Sequence, residues 1–497
     1  MDTSRVRWEY VLLAVLLIGL FWLRMALATS VPTLDYGAYS TVREVDHILA
    51  TGQPLRDDPL SVTGKERLGS PIFTYLLAVL VWFTPLAYKI FPNLCMVLLL
   101  IPIYALVRHL TGSPLAAFAG TILAGSGPFV FGAYLNDPSP VPLAALLFLS
   151  ILAMLHNPDK YLYPIVALTL FLTFIHPLVL LLVLSLIVII ALLRLEGFKI
   201  DVRISELFLF TLFLSVWFHI IVYKRAFAAD GLRVIWKNLP TSYAGAAFGN
   251  VTFITVLYGL GVIAFLFGVL GAYHALFERR ARISLSIVGA IIAAAACLFL
   301  RMLELRLGLM MLTLLLSVMA AYGLHLSAAY LARTKAPFLR YPIGIFLFLL
   351  FLLTAILPGL ANANEQLKNA PTPNDLADYR MVGDLLPNDA VILTTLREAE
   401  AFQYAAQRTT LTDDDFILVR SGDELVSDID AVYTARFVSS IVGRAQKLDI
   451  THILFSEDAR RAYQRDTFAI SNSSCLRSSV VGSGSILYTI DCGDVAR

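Results

Sequence analysis

The chain has 497 residues, of which 58% are hydrophobic and only 15% charged, with a mean hydropathy of +0.76 and a formal net charge of +2. These values lie outside the range of soluble globular domains and predict a polytopic α-helical membrane protein. The charge is too small and too dispersed for a nucleic-acid-binding surface. No metal-ligand spacing joins the cysteines: Cys95 and Cys297 sit in apolar runs, Cys475 and Cys492 in a polar tail.

Crossing the hydrocarbon core takes about 18–25 apolar residues, and short loops rich in Lys and Arg stay cytoplasmic. Arg5 and Arg7 therefore place the N-terminus inside, and the run 10–29, which lacks a small-residue cleavage site, reads as a retained first span. The polar stretch 30–70 follows it on the outside. If the next run, 71–90, crossed fully, every later basic loop would face outward, so it reads as a re-entrant or interfacial helix, with Pro71 and Pro85 suiting interrupted packing. Further crossings are expected at 93–107, 115–133, 139–155, 161–176, 177–194, 205–223, 251–275, 284–300, 307–327 and 341–358, about eleven in all, which leaves the C-terminus outside.

Composition shifts after Pro358 and divides the chain into a transmembrane domain, 1–360, and an extracytoplasmic α/β domain, 361–497. The tail alternates short apolar runs (AVILTT, FILVR, HILF, SILYTI), read as strands, with helical segments such as 375–385 and 432–448. An outside location permits a Cys475–Cys492 disulfide. The sequons at Asn250 and Asn472 also fall outside, but such tripeptides are common by chance.

Two acids stand at outer helix mouths: Asp35, five residues beyond the first span, and Asp137, in YLNDP between two spans. Carboxylates this close to hydrocarbon are costly unless they face a cavity or a partner. The plain alternative is helix capping, above all for Asp137 ahead of Pro138. Arg301, Glu304 and Arg306 in LFLRMLELRLGL form an outer cationic group that could hold a phosphate, with Glu304 orienting one guanidinium; snorkelling to lipid headgroups is the alternative. The outer loop 223–250 adds Lys224 and Arg225, which could close over a charged ligand or simply line a surface loop. His176, before Pro177, suits a ligand or a capping role. The segment 42–50 has the pattern of an amphipathic helix lying on the membrane surface. Asp57 and Asp58, before Pro59, suit a metal or hydroxyl-rich ligand or, more commonly, a solvated turn.

The order of these features resembles the GT-C superfamily of polyprenyl-phosphate-dependent glycosyltransferases, which includes oligosaccharyltransferases, protein O-mannosyltransferases and the aminoarabinose transferases of lipid A. The tail segments LPNDAVILTT, RTTLTDDD and KLDITHILFS look like the outer domains of prokaryotic, especially archaeal, members. The resemblance implies an integral membrane glycosyltransferase that moves a sugar from a polyprenyl-phosphate-linked donor to a lipid, glycan or protein acceptor on the extracytoplasmic side. It implies Asp35 as base, Arg301 and Arg306 as phosphate holders, and Asp137 as the residue positioning the acceptor or a divalent cation such as Mg or Mn, with Asp35 and Asp137 the candidate metal ligands. No WWD-type tripeptide occurs, so a single-sugar transferase of the mannosyltransferase or lipid-modifying kind fits better than asparagine-linked transfer. Two other classes compete: a transporter or flippase of lipid-linked saccharides, and a non-catalytic membrane-anchored binding module. A transporter calls for ionisable residues near the membrane midplane, whereas here the charges gather at outer mouths.

Overall fold

A computed structural model describes residues 3–62, 66–249, 251–278, 281–368, 370–468 and 475–491. The chain divides into two compact units, each built from three separated segments. A helical unit comprises Met1–Ser30, Thr84–Ile221 and Asn250–Lys368; a mixed unit comprises Val31–Phe83, Val222–Gly249 and Asn369–Arg497. Compositional division at residue 360 differs from this partition, because the polar stretch 30–70 and the loop 223–250 find their polar partners in the tail. Arg43 Nη1 donates to Gln403 Oε1, Asn238 Nδ2 to the Phe416 carbonyl at 2.9 Å, and Thr241 N to Asp423 Oδ1 at 2.6 Å.

In the helical unit, six helices among the described residues are long and apolar enough to cross a membrane, or seven if one bent pair counts as a span. They include Trp8–Ser30, Ala87–Thr111, Val202–Val222, Arg282–Phe299 and Leu305–Ala332, with a sixth beginning at Arg340. The expectation of about eleven crossings also counts shorter apolar helices such as Pro114–Ser126, Val141–Met154 and Val179–Leu195. The run 251–275 is not one straight span: Phe253–Leu260 and Val262–Phe277 meet at 87° around Gly261, whose φ of +85° is open to glycine at little cost. The run 115–133 likewise ends at Ser126, where Gly127 and Pro128 break the helix before a four-residue turn of helix, Pro128–Phe131.

The run 71–90 divides between the units. Ile72–Phe83 has 12 residues, about 18 Å of helix against a hydrocarbon core of about 30 Å, too short to cross. The chain breaks at Thr84, Pro85 and Leu86, and Ala87 opens a 25-residue apolar helix of which the expected span 93–107 is only the middle.

Leu305–Ala332 is the most enclosed of the long helices. Glycines let Val262–Phe277 lie directly against it: a Cβ at Gly271 would strike the Met319 carbonyl oxygen, and one at Gly323 that of Phe267. Small residues at such contacts drive helix association in lipid, where hydrophobic burial between helices gains little.

In the mixed unit a five-stranded sheet runs β2-β1-β3-β5-β4, with β1 Val391–Leu393, β2 Thr409–Thr410, β3 His452–Phe455, β4 Leu476–Val481 and β5 Ser485–Ile490. β1 pairs in parallel with β2 and β3, while β5 pairs antiparallel with β3 and β4. Phe416, Tyr433, Phe455, Phe468 and Tyr488 fill its core. The runs AVILTT, HILF and SILYTI contain strands as expected, but FILVR does not: Leu418 has φ 67°, and the Asn238 amide ties the carbonyls of Phe416 and Val419 into a turn. The expected helix 432–448 is two helices, Gly422–Thr434 and Val438–Lys447. Pro373–Leu385 starts with a capping box, Thr372 with Asp375. Cys492, Asn250 and Asn472 lie outside the described residues.

Candidate active site

At one end of the helical unit a turn carries Tyr134, Asn136 and Asp137, and a guanidinium inside the first helix holds it. Arg24 is 2% exposed, and its Nε donates to Asn93 Oδ1 at 3.0 Å. Its Nη1 donates to the carbonyls of Val130, at 3.2 Å, and Phe131, and its Nη2 to that of Ala133 at 2.6 Å. These carbonyls need partners because the helix Pro128–Phe131 stops after one turn. Asn93 Nδ2 donates onward to the Leu135 carbonyl at 2.8 Å, and Lys89 Nζ to the Ala28 carbonyl at 2.8 Å. Sequence reasoning passed over Arg24, Lys89 and Asn93, although isolated polar groups inside apolar spans are themselves a signal.

The turn so fixed puts Tyr134 in the left-handed region, φ 55°, with its ring beneath Arg306, whose guanidinium carbon lies 4.4 Å from the ring centre. Arg306 Nη1 lies 3.9 Å from Asp137 Oδ2, and Nη2 donates to Gln366 Oε1 at 3.1 Å, while its Nε is buried with no hydrogen-bond partner among the described residues. The structure thus brings together Asp137 and Arg306, far apart in sequence. Glu304 stands at the N-cap of Leu305–Ala332, and Arg301 has a left-handed backbone, φ 56°, in the exposed turn before it. His176 takes the capping role: its Nδ1 accepts from Leu178 N at 3.0 Å, bridging Pro158–Ile175 and Val179–Leu195.

Asp35 belongs to the mixed unit, half-buried ahead of the helix Ala38–Thr51, and its carbonyl accepts from Ala38 N at 3.0 Å. Two residues that follow it are pinned by the tail: Arg397 lies over the Tyr36 ring at 5.0 Å, and Tyr39 packs against Tyr404 with centroids 5.0 Å apart. The amphipathic helix read at 42–50 thus turns part of its polar face to protein. Arg43 is 8% exposed and pairs with Asp58 at 2.6 Å and Glu400 at 3.5 Å. Arg67 adds contacts to Glu44 at 2.8 Å, Asp58 at 3.0 Å and Glu400 at 3.4 Å. Asp58 is therefore neither a solvated turn residue nor open to a metal. Burial alone would raise its carboxyl, but Arg43 and Arg67 outweigh that and hold it at about 2. Arg225 is tied to Glu66 at 2.6 Å, and Lys224 is exposed one residue earlier.

Beneath Tyr36 lies a second buried acid. Glu398 is fully enclosed, accepting from Tyr379 Oη at 2.9 Å and Thr395 N at 2.9 Å. Burial, and then the neighbouring Asp458, push its carboxyl up to about 7. A carboxyl whose folded value exceeds its ordinary one favours the folded state on the acid side, and that advantage is lost as pH rises from about 4.5 to about 7, by an amount on the order of 3 kcal/mol. Protection factors at residues 391–406, exchange rates corrected for intrinsic base catalysis, should therefore fall from pH 5 to pH 8, and Glu398→Gln should flatten the trend; an unchanged slope in the variant would contradict the assignment.

Among the described residues no three His, Cys, Asp or Glu side chains converge where a cation would sit. Asp137 has a guanidinium beside it, and Asp35 belongs to the other unit, so within each unit the described residues supply no set of donors for a divalent ion.

No protein-family model matches the chain, and no curated protein matches it. Solved structures do. ArnT from Cupriavidus metallidurans bound to undecaprenyl phosphate aligns over 98% of both chains at 12% identity, with a TM-score of 0.54. The archaeal oligosaccharyltransferase AglB from Archaeoglobus fulgidus, in complex with an inhibitory peptide and a dolichol-phosphate, aligns over 88% of this chain and 69% of its own at 15% identity, TM-score 0.57. The Archaeoglobus fulgidus oligosaccharyltransferase complex with Zn and sulfate aligns over 88% and 67% at 14% identity, TM-score 0.54. These neighbours are GT-C glycosyltransferases, and the present chain has their fold, as the sequence resemblance implies.

Proposed function

We propose that the chain is a multi-pass membrane glycosyltransferase that transfers a sugar from a polyprenyl-phosphate donor to an acceptor on the extracytoplasmic side, with inversion. Its N-terminus is cytoplasmic, the mixed unit is extracytoplasmic, and the helices make about eleven crossings. The observation that carries this reading is Arg306: a guanidinium set on Tyr134 and Gln366 at the helical unit's mouth, with a buried Nε lacking any acceptor among the described residues. Such a group suits a phosphate oxygen, which a planar fork of donors binds bidentately. Likeness to ArnT over 98% of both chains supports a lipid-modifying transferase.

In this mechanism the Asp35 carboxylate takes the proton of the acceptor hydroxyl as its oxygen attacks the anomeric carbon. The bond from that carbon to the phosphate oxygen breaks, and polyprenyl phosphate leaves with the electron pair, its charge stabilised by Arg306 and Arg301. Asp137 orients Arg306, and Glu304 stands at the N-cap of the helix that carries Arg306. Lys224 adds charge to the outer surface of the mixed unit, Arg225 ties the loop 222–249 to the first loop through Glu66, and His176 braces a helix junction.

Arg306→Ala should lower kcat/KM by roughly 10²- to 10³-fold in membranes supplied with a labelled polyprenyl-phosphate sugar, with partial recovery in Arg306→Lys. Wild-type transfer by the alanine variant would sink the assignment. A wild-type protein that moves the lipid-linked sugar between leaflets without transferring it would mark a transporter instead.

A further inference from the structure

The parallel part of the sheet reverses direction at β1. From β1 the chain passes through the helix Ala399–Ala406 to β2 on one side, then returns through the helices Gly422–Thr434 and Val438–Lys447 to β3 on the other. In doubly wound sheets such a reversal leaves a crevice outside the carboxyl ends of the two strands, where ligands bind. Here the chain's own groups fill that place. Thr395 lies just beyond β1 and joins two buried acids: its N donates to Glu398 Oε1 at 2.9 Å, and its Oγ1 to Asp458 Oδ2, just beyond β3, at 2.7 Å. Arg397 Nη1 reaches Asp458 Oδ1 at 3.6 Å, and the same guanidinium covers the ring of Tyr36, which is 8% exposed.

Tyr36 directly follows Asp35, so the first loop enters the crevice beside the proposed base. Burial, and then Asp458 and Glu398, push the Tyr36 phenol well above its ordinary range, as both acids lie close to it. The other titratable groups around Glu398 are Tyr379 on Pro373–Leu385, Tyr433 on Gly422–Thr434 and Tyr463 on Glu457–Tyr463. Asp375, Arg397 and Arg461 flank Tyr36; Arg397 pairs with Asp458, and Arg461 with Glu457. An ionised Glu398 would put a second buried negative charge next to Asp458, which like-charge repulsion and burial both oppose. We propose that the crevice is a clamp on the first loop: the Glu398–Asp458 pair holds Tyr36, and with it the Asp35 carboxylate, while the two acids carry one proton between them, and lets go when both are ionised. Glu398 is then a positioning residue that makes transfer pH-dependent. This inference rests on Asp35 as the base and deepens that reading. The loss falls on the alkaline side, because the Glu398 carboxyl is pushed up to about 7, first by burial and then by Asp458, and a raised carboxyl supports the closed cluster only below that value.

Full-length protein in nanodiscs, supplied with a saturating labelled polyprenyl-phosphate sugar, tests the clamp. From pH 6 to pH 8 kcat should fall by about tenfold, the change that one linked proton with a midpoint of about 7 produces over that interval, with the donor KM unchanged. Glu398→Gln, which is neutral throughout, should flatten the fall. A flat wild-type profile, or the same fall in the variant, overturns the proposal. Hydrogen exchange gives a reading that needs no catalysis. Protection factors of the amides at 36–42, corrected for intrinsic rates, should drop by about tenfold over the same interval in wild type and stay level in Glu398→Gln. Level protection in wild type overturns the clamp even where the variant does not fold. Protection that titrates in a protein whose transfer survives Asp35→Asn upholds the clamp and removes the base. Transfer lost in Asp35→Asn with level wild-type protection upholds the base and removes the clamp.

Discussion

Asp35→Asn is expected to reduce sugar transfer by roughly 10²- to 10⁴-fold, the usual contribution of a positioned general base, with little change in the melting temperature of the detergent-solubilised protein. Asparagine keeps the shape and a hydrogen-bonding oxygen but cannot take a proton. Asp35 directly precedes Tyr36 and stands four residues before Tyr39, and both tyrosines are fixed by the tail through Arg397 and Tyr404. On the proposed role, a base carried on a backbone anchored in this way would lose little freedom when substrate arrives, and such pre-organisation lowers the barrier. The helix after Asp35 begins at Ala38 with Gly37 as its N-cap, and no side-chain capping bond is made by that residue. Transfer within twofold of wild type, measured on membranes with saturating donor, would remove Asp35 from the chemistry.

Asp58→Asn is expected to act on stability instead, lowering it by about 3–5 kcal/mol, the cost of removing one partner from a buried ion pair. The Asp58 side chain is fully buried and accepts from both Arg43 and Arg67. Without its charge the two guanidinium groups keep Glu400 and Glu44 as the carboxylates among the described residues and Gln403 as a neutral acceptor. The pH dependence has a definite sign. A carboxyl held at about 2 stabilises the fold above its ordinary value of 3.8, and that stabilisation is lost as pH falls from about 3.8 toward 2. The acid limb of unfolding should therefore be weaker in Asp58→Asn than in wild type. A variant that melts with the wild type at neutral pH would show that solvent reaches the cluster and screens it.

Individual residues show what was legible in the sequence. Hydropathy located most helices, because the need to satisfy backbone groups in lipid leaves few other solutions. Breaks inside apolar runs were less visible. Gly261 bends one expected span and Gly127 with Pro128 ends another, yet glycine and proline are also common in straight membrane helices. Asp137 and Arg306 were each marked as candidates, but nothing local says that they face each other; the contact depends on Arg24, a single polar residue inside an apolar run. Asp58 was misread as solvated for a related reason. Its neutralising arginines are near in sequence, but Glu400 and Gln403, which bury the cluster, lie in the tail. FILVR has the composition of a strand, and Asn238, in a distant loop, made it a turn.

The mixed unit is closed by its last segment, and this orders its biogenesis. Arg43 and its partner Gln403 are 360 positions apart, which at about 5–20 residues per second separates their synthesis by roughly half a minute. Throughout that interval the newly made loop carries its two arginines and Asp58 without the residues that will seal them from water. A chaperone or lipid surface that shelters the loop would then govern yield, and nonsense mutations in the tail would leave a protein inserted in the bilayer yet marked for proteolysis.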